Sequence, residues 1–105
     1  MLKFEDFTKL EMQIGTIIKA ERVPDTDKLI KVIIDLGNEK RQVVAGFGHL
    51  HKPEDLIGKQ VPVAVNIEKA VIRGVESNGV FIALDDDKAT LLTPQEKVPN
   101  GTKLK

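Results

Sequence analysis

The sequence predicts a mainly β domain: a five-stranded barrel with one short helix between its third and fourth strands, followed by a C-terminal extension. Three observations predict it. β-Branched and apolar runs recur at short intervals up to Leu84, each closed by glycine, proline or aspartate clusters. One interior segment, Pro53 to Gly58, carries proline at its start, acids behind it and glycine at its end, the marks of a single helical turn. The chain has 105 residues, enough for one core and too few for two.

The elements follow in order. Phe4, Phe7 and Leu10 recur at spacing three, which predicts a short amphipathic helical segment. The first strand is Ile14 to Glu21, ended by Val23-Pro24-Asp25. The second, Leu29 to Leu36, meets Gly37-Asn38, a hairpin turn into the third strand, Arg41 to Phe47. After the Pro53 helix comes a fourth strand, Val61 to Ile67, with Val61, Val63, Val65 and Ile67 on one face. Glu68 to Asn78 reads as a loop, and Gly79 to Leu84 as the fifth strand. The remainder, Asp85 to Lys105, reads as short extended pieces and turns. No internal repeat or linker divides residues 1–105.

Five strands with a helix between the third and fourth is the layout of an OB-fold barrel. That fold binds its ligands on the face of strands two and three, between the first-to-second and fourth-to-fifth loops. Here those loops are Val23 to Lys28 and Glu68 to Asn78, the two with the most unusual residues.

Composition narrows the function. Apolar residues make up 41% and charged residues 30%, which argues against disorder. The chain has no cysteine, so disulfides, thiolate metal sites and cysteine nucleophiles are excluded. Acids near the start of the chain and the lack of a long apolar run point to a cytoplasmic protein. Sixteen basic residues balance sixteen acidic ones, which argues against a nonspecific nucleic-acid coat but not against a local basic face. With four Phe and neither Trp nor Tyr, base stacking is a poor basis for gripping single strands.

Several constellations carry chemically capable residues. Ser77 lies between glycines, but Gly74-Val75-Glu76-Ser77-Asn78-Gly79 has one residue too many for a nucleophile elbow and leads into a strand. Gly74 and Gly79 instead supply unusual backbone angles, and Ser77 bonds local backbone. His49 and His51 lack the third and fourth ligands that zinc requires. Asp85-Asp86-Asp87 lacks the spacing of a calcium loop and reads as a solvated turn. Asp25 and Asp27 read as caps of the turn after Pro24. Lys28 follows them, and Lys19, Lys31, Lys40, Arg41, Lys69 and Arg73 lie on the same strands and loops. These cations form a basic patch if they share a face; otherwise they are the wet side of a barrel. No metal, cofactor or catalytic residue is expected.

FTKLEMQIGTI, ERVPDTDKL, DLG, QVVAG, PEDLIGK, VAVNI and RGVESNGV occur in this order and spacing. Together, over residues 4–105, they resemble the tRNA-binding OB domain family. That family includes the C-terminal domain or β subunit of methionyl-tRNA synthetase, free-standing tRNA-binding proteins and a secretion-chaperone branch. The resemblance implies a noncatalytic protein that binds the outer corner of folded tRNA by shape and backbone. It implies a homodimer, with residues 1–12 and 85–105 at the interface, acting alone or with a methionyl-tRNA synthetase catalytic chain. Lys28, Asn66, Arg73 and Ser77 match family contact positions, and Lys31, Arg41 and Val80 complete the expected tRNA-binding set. Val80 departs from the family's methionine and offers a smaller, stiffer apolar surface. The alternative is a chaperone-like, protein-binding homodimer of the same fold.

Overall fold

A computed structural model describes all residues, Met1–Lys105. Strands β1 (Met12–Arg22), β2 (Ile30–Asp35), β3 (Lys40–Ala45), β4 (Gln60–Ala64) and β7 (Val80–Phe81) form one curled antiparallel sheet of five strands in the order β3-β2-β1-β4-β7. Helix α1 spans Phe4–Phe7, and α2 spans Pro53–Leu56 between β3 and β4, where the sequence placed it.

β1 is long enough to serve both halves of the barrel. Its first half pairs with β4, from Met12↔Ala64 to Thr16↔Gln60, and its second with β2, from Thr16↔Asp35 to Arg22↔Ile30. The register shifts between Ile17 and Lys19, and the extra residue, Ile18, points outward. A bulge of this kind bends a strand and raises its twist, which lets one sheet curl on itself. Gly15 permits the tight approach of β2: a Cβ there would sit 2.4 Å from Ile34 Cγ2 and 2.9 Å from the Asp35 carbonyl oxygen.

The β2–β3 hairpin forms as expected. Leu36 N–H donates to the Glu39 carbonyl at 2.8 Å across Gly37-Asn38, and Gly37 has φ +92°. β2 alternates cleanly: Ile30, Val32 and Ile34 enter the core, where Val43, Leu56, Val61, Val63 and Phe81 meet them. Leu56, the last residue of α2, is fully buried and closes the barrel's end.

Three expectations need correction. β4 ends at Ala64, so Ile67 does not continue its buried face and is 41% exposed. The pairing with β1 runs out there, and the Val65 N–H turns to the Glu11 carbonyl. The stretch 68–78, expected as a loop, holds a second sheet: β5 (Ala70–Ile72) and β6 (Val75–Ser77) pair from Ala70↔Ser77 to Ile72↔Val75. Their turn is Arg73-Gly74, with φ +53° and +83°, the doubly left-handed geometry of a two-residue hairpin. The fifth barrel strand is also shorter than expected: its ladder with β4 covers only Val80 and Phe81, and beyond it the chain makes single bonds from Ile82 N–H to the Pro62 carbonyl and from Leu84 N–H to the Thr90 carbonyl.

No ladder joins the sheet's edges, β3 and β7. The β5–β6 hairpin covers β3 instead. Ser77 Oγ accepts the Val44 N–H at 2.9 Å, Asn78 N–H donates to the Gln42 carbonyl at 2.8 Å, and Gln42 Nε2 donates to the Glu76 carbonyl at 2.8 Å. The C-terminal extension lies along the first half of β1, with Ile14 N–H donating to Thr102 and Leu104 N–H to Met12. None of α1 is buried; Phe4 and Phe7 are 79% and 52% exposed. No helix is long and apolar enough to cross a membrane.

Candidate nucleic-acid interface

The two loops singled out by the fold do converge. Arg73, at the hairpin tip, reaches the β1–β2 loop, where its Nη2 donates to the Asp25 carbonyl at 3.3 Å. Between them lies a cleft of about 380 Å³ lined by Asp25 to Leu29, Ile72 and Arg73. Arg73 and Lys28 form no ion pair and stand at this cleft as free cations. The left-handed backbone at Asp25 (φ +62°) and the hydrogen bond from Thr26 Oγ1 to the Val23 carbonyl shape the loop. Asp25 and Asp27 do not cap backbone amides as expected. Their carboxylates line the cleft, so its two cations are matched by two acids.

The remaining expected cations divide. Lys31 on β2 pairs with Glu21 on β1 at 2.7 Å, a direct cross-strand pair. That hydrogen bond holds the Glu21 carboxyl below the usual range. Arg41 lies opposite Ile34, on the other face of the sheet from Lys31. It is largely covered, donating to Glu39 Oε1 at 2.7 Å and to the Val65 carbonyl at 2.6 Å, and it holds the Glu39 carboxyl low. Lys69 pairs with Glu76 at 3.6 Å. The seven cations therefore do not form one patch: Lys31, Arg41 and Lys69 are neutralised, while Lys28, Arg73, Lys19 and Lys40 are unpaired.

Asn66 and Ser77 are committed to the protein. Asn66 Nδ2 donates to the Lys9 carbonyl at 2.6 Å, and its Oδ1 accepts the Glu11 N–H at 2.8 Å, tying the N-terminal segment to the end of β4. Ser77 is 5% exposed, and its hydroxyl makes the buried one of the three bonds that seat the hairpin on β3. Its partner is thus a distant strand as well as the local Gly79 carbonyl expected from sequence. Gly74 and Gly79, at φ +83° and +132°, supply the backbone angles expected of them.

Val80 is 45% exposed and lines an apolar groove of about 530 Å³ with Val44, Phe47, Ile67 and Leu84. Ile72 lines both this groove and the cationic cleft, so the two flank one hairpin. The hairpin was the feature missed from sequence; Arg-Gly is a weak turn signal beside Asn-Gly or Asp-Gly.

The other constellations stay apart from the cleft. His51 bonds the Ala89 carbonyl at 2.9 Å and meets Phe47 edge-on, while His49 faces solvent. Asp86 accepts from the Thr90 N–H and hydroxyl, which lowers its carboxyl's pKa. No three His, Asp or Glu side chains gather as metal ligands.

The family described as "Putative tRNA binding domain" matches residues 12–103. Methionine--tRNA ligases from Archaeoglobus fulgidus and Methanospirillum hungatei JF-1 are 47% and 45% identical over 104 residues, covering 98% and 99% of this chain. The chain spans only 16% of the length of each of these ligases. Among solved structures, the MetRS related protein from Pyrococcus horikoshii superposes with a TM-score of 0.90 at 35% identity, covering 99% of this chain and 97% of that one. The chaperone CsaA from Bacillus anthracis str. Ames superposes at 0.88 with 34% identity, covering 100% and 99%. The chain belongs to the tRNA-binding domain family.

Proposed function

We propose that this chain is a noncatalytic homodimer that binds the outer corner of folded tRNA in the cytoplasm, alone or beside a methionyl-tRNA synthetase catalytic chain. The observation that carries this reading is the meeting of Lys28 and Arg73, unpaired, where the β1–β2 loop and the hairpin converge. These two neutralise phosphates. Asp25 and Asp27 beside them repel misplaced phosphates and so favour one docking over general adhesion. Asn66 and Ser77 act by position, the first holding the N-terminal segment and the second the hairpin that carries Arg73. Lys31 and Arg41 contribute through their ion pairs to the shape of the surface rather than to its charge. Ile72, shared by cleft and groove, places Val80's apolar surface beside the phosphate contacts.

The dimer reading is supported by Phe4, Phe7, Leu10, Met12 and Leu104. They line a mostly apolar cleft of about 390 Å³ that nothing in the single chain covers. Residues 1–12 and the C-terminal extension meet there, as expected of an interface.

The test is a gel-shift titration with bulk tRNA across salt concentrations. Log affinity should fall linearly with log salt, with a slope of about −0.7 to −0.9 for each phosphate contacted. Lys28→Ala and Arg73→Ala should each flatten that slope by about one contact and weaken all tRNA species alike. No binding at low salt would end this reading. A second reading, a chaperone-like module, is favoured by the apolar groove around Val80 and by the likeness to CsaA. Suppressed aggregation of an unfolded client, unaffected by competing tRNA, would support it instead.

A further inference from the structure

The C-terminal extension builds a cleft that differs in charge from the two beside the hairpin. It measures about 490 Å³ and has no hydrophobic residue in its lining, which includes Thr16, Gly58, Lys59, Gln60, Thr93 and Lys97. Two lysines line it, and no acidic residue does. The cleft at Lys28 and Arg73 carries two acids, and the apolar groove includes Glu68 and Asp85. Neither Lys59 nor Lys97 forms an ion pair.

The cleft is held in shape by a closed polar network. Gln60, almost fully buried, donates from Nε2 to the Val98 carbonyl at 2.7 Å and accepts the Val98 N–H on Oε1 at 3.0 Å. Asn100 Oδ1 accepts from Thr16 Oγ1 at 2.7 Å and from Gln60 Nε2 at 3.1 Å. These bonds pin the turn that carries Thr93 and Lys97 over the start of β4, opposite Lys59. The backbone N–H groups of Thr93 and Lys97 have no acceptor within the chain. The result is a rigid floor with cations and unused donors around it. A metal cation finds no carboxylate there. A tetrahedral oxyanion can use several donors at once.

We propose that this cleft is a phosphate site, and that it takes a second backbone phosphate of the tRNA held by Lys28 and Arg73. The phosphate chemistry stands on the cleft alone; the RNA source rests on the tRNA-binding reading. Thr16, in this cleft, and Arg22, where β1 ends toward the β1–β2 loop, are six positions apart, about 20 Å of extended strand. A small anion cannot bridge both sites, whereas a folded RNA can, and two points of contact would fix its orientation.

The experiment has two arms, each on the wild-type chain and the Lys59→Ala/Lys97→Ala double variant. In the first, amide chemical shifts are followed during titration with inorganic phosphate, with chloride at equal ionic strength as the control. Saturating shifts at Gly58, Lys59, Thr93 and Lys97, specific to phosphate and lost in the variant, are expected; no saturation, or the same response in the variant, overturns the site. In the second, the salt slope of tRNA affinity is measured. The double variant should flatten it by about 0.7 to 0.9, the one phosphate contact this cleft supplies. An unchanged slope together with a positive first arm overturns the RNA source and leaves a site for free phosphate. If the wild-type chain fails to bind tRNA, the functional reading and the RNA source fall together, and the phosphate arm alone judges the site.

Discussion

Ser77→Ala tests how far one buried hydroxyl holds the hairpin to the barrel. In the native chain Ser77 Oγ accepts the Val44 N–H at 2.9 Å and lies 3.4 Å from the Gly79 carbonyl, with the residue 5% exposed. Alanine keeps the backbone and removes the acceptor. A buried donor left without a partner costs about 1 to 3 kcal/mol. The removed oxygen is small, so the cavity adds little, and about 2 kcal/mol is expected in all. For a domain of this size that is on the order of 10 °C in Tm. Urea unfolding followed by far-UV circular dichroism reads it as a lower midpoint at unchanged m. Gln42→Ala is the comparison, because its side chain bonds the Glu76 carbonyl at an exposed position and should cost no more than about 1 kcal/mol. A Ser77→Ala loss below about 0.5 kcal/mol, typical of an ordinary surface change, would refute the reasoning. The same variant should weaken tRNA binding, since Arg73 is carried by the hairpin that loosens.

Gly15→Ala should destabilise the fold by about 1 to 3 kcal/mol, because its Cβ would meet Ile34 Cγ2 at 2.4 Å and backbone at 2.9 Å; thermal unfolding checks it. Phe7→Asp should convert a dimer to monomers in sedimentation while leaving the circular dichroism of the barrel intact, since Phe7 is outside the core. Glu21, Glu39 and Asp86 have carboxyls lowered by hydrogen bonds from Lys31, Arg41 and Thr90. A lowered folded pKa gives stability that is present above the unfolded value, 4.5 for the glutamates, and is lost as pH falls through the folded one. Stability against urea should therefore drop below about pH 4.5, and a Glu21→Gln chain should lose less on acidification.

Much of the barrel was legible in the sequence because its signals are local. β2 alternates through Ile30, Val32 and Ile34; Gly37-Asn38 closes its hairpin; Pro53, Glu54 and Asp55 begin α2. The β5–β6 hairpin was not legible. Each strand is three residues long, too short for a period to show, and the turn is Arg-Gly. Ile67 misled for a related reason: its place in the alternation was right for a strand that had already ended.

The sequence by itself determined the five-stranded barrel, the hairpin between its second and third strands and the short helix between its third and fourth. It also held enough ordered motifs to place the chain in its family. Only the tertiary structure decided how the side chains are used. Whether a lysine is free or paired depends on the residue across the strand, as Glu21 stands across from Lys31. Register likewise sent Lys31 and Arg41 to opposite faces, and the seating of the β5–β6 hairpin on β3 turned Ser77 inward to Val44. Pairings between residues 10 to 57 positions apart leave no periodic trace in the chain, so they become visible only when the sheet is assembled.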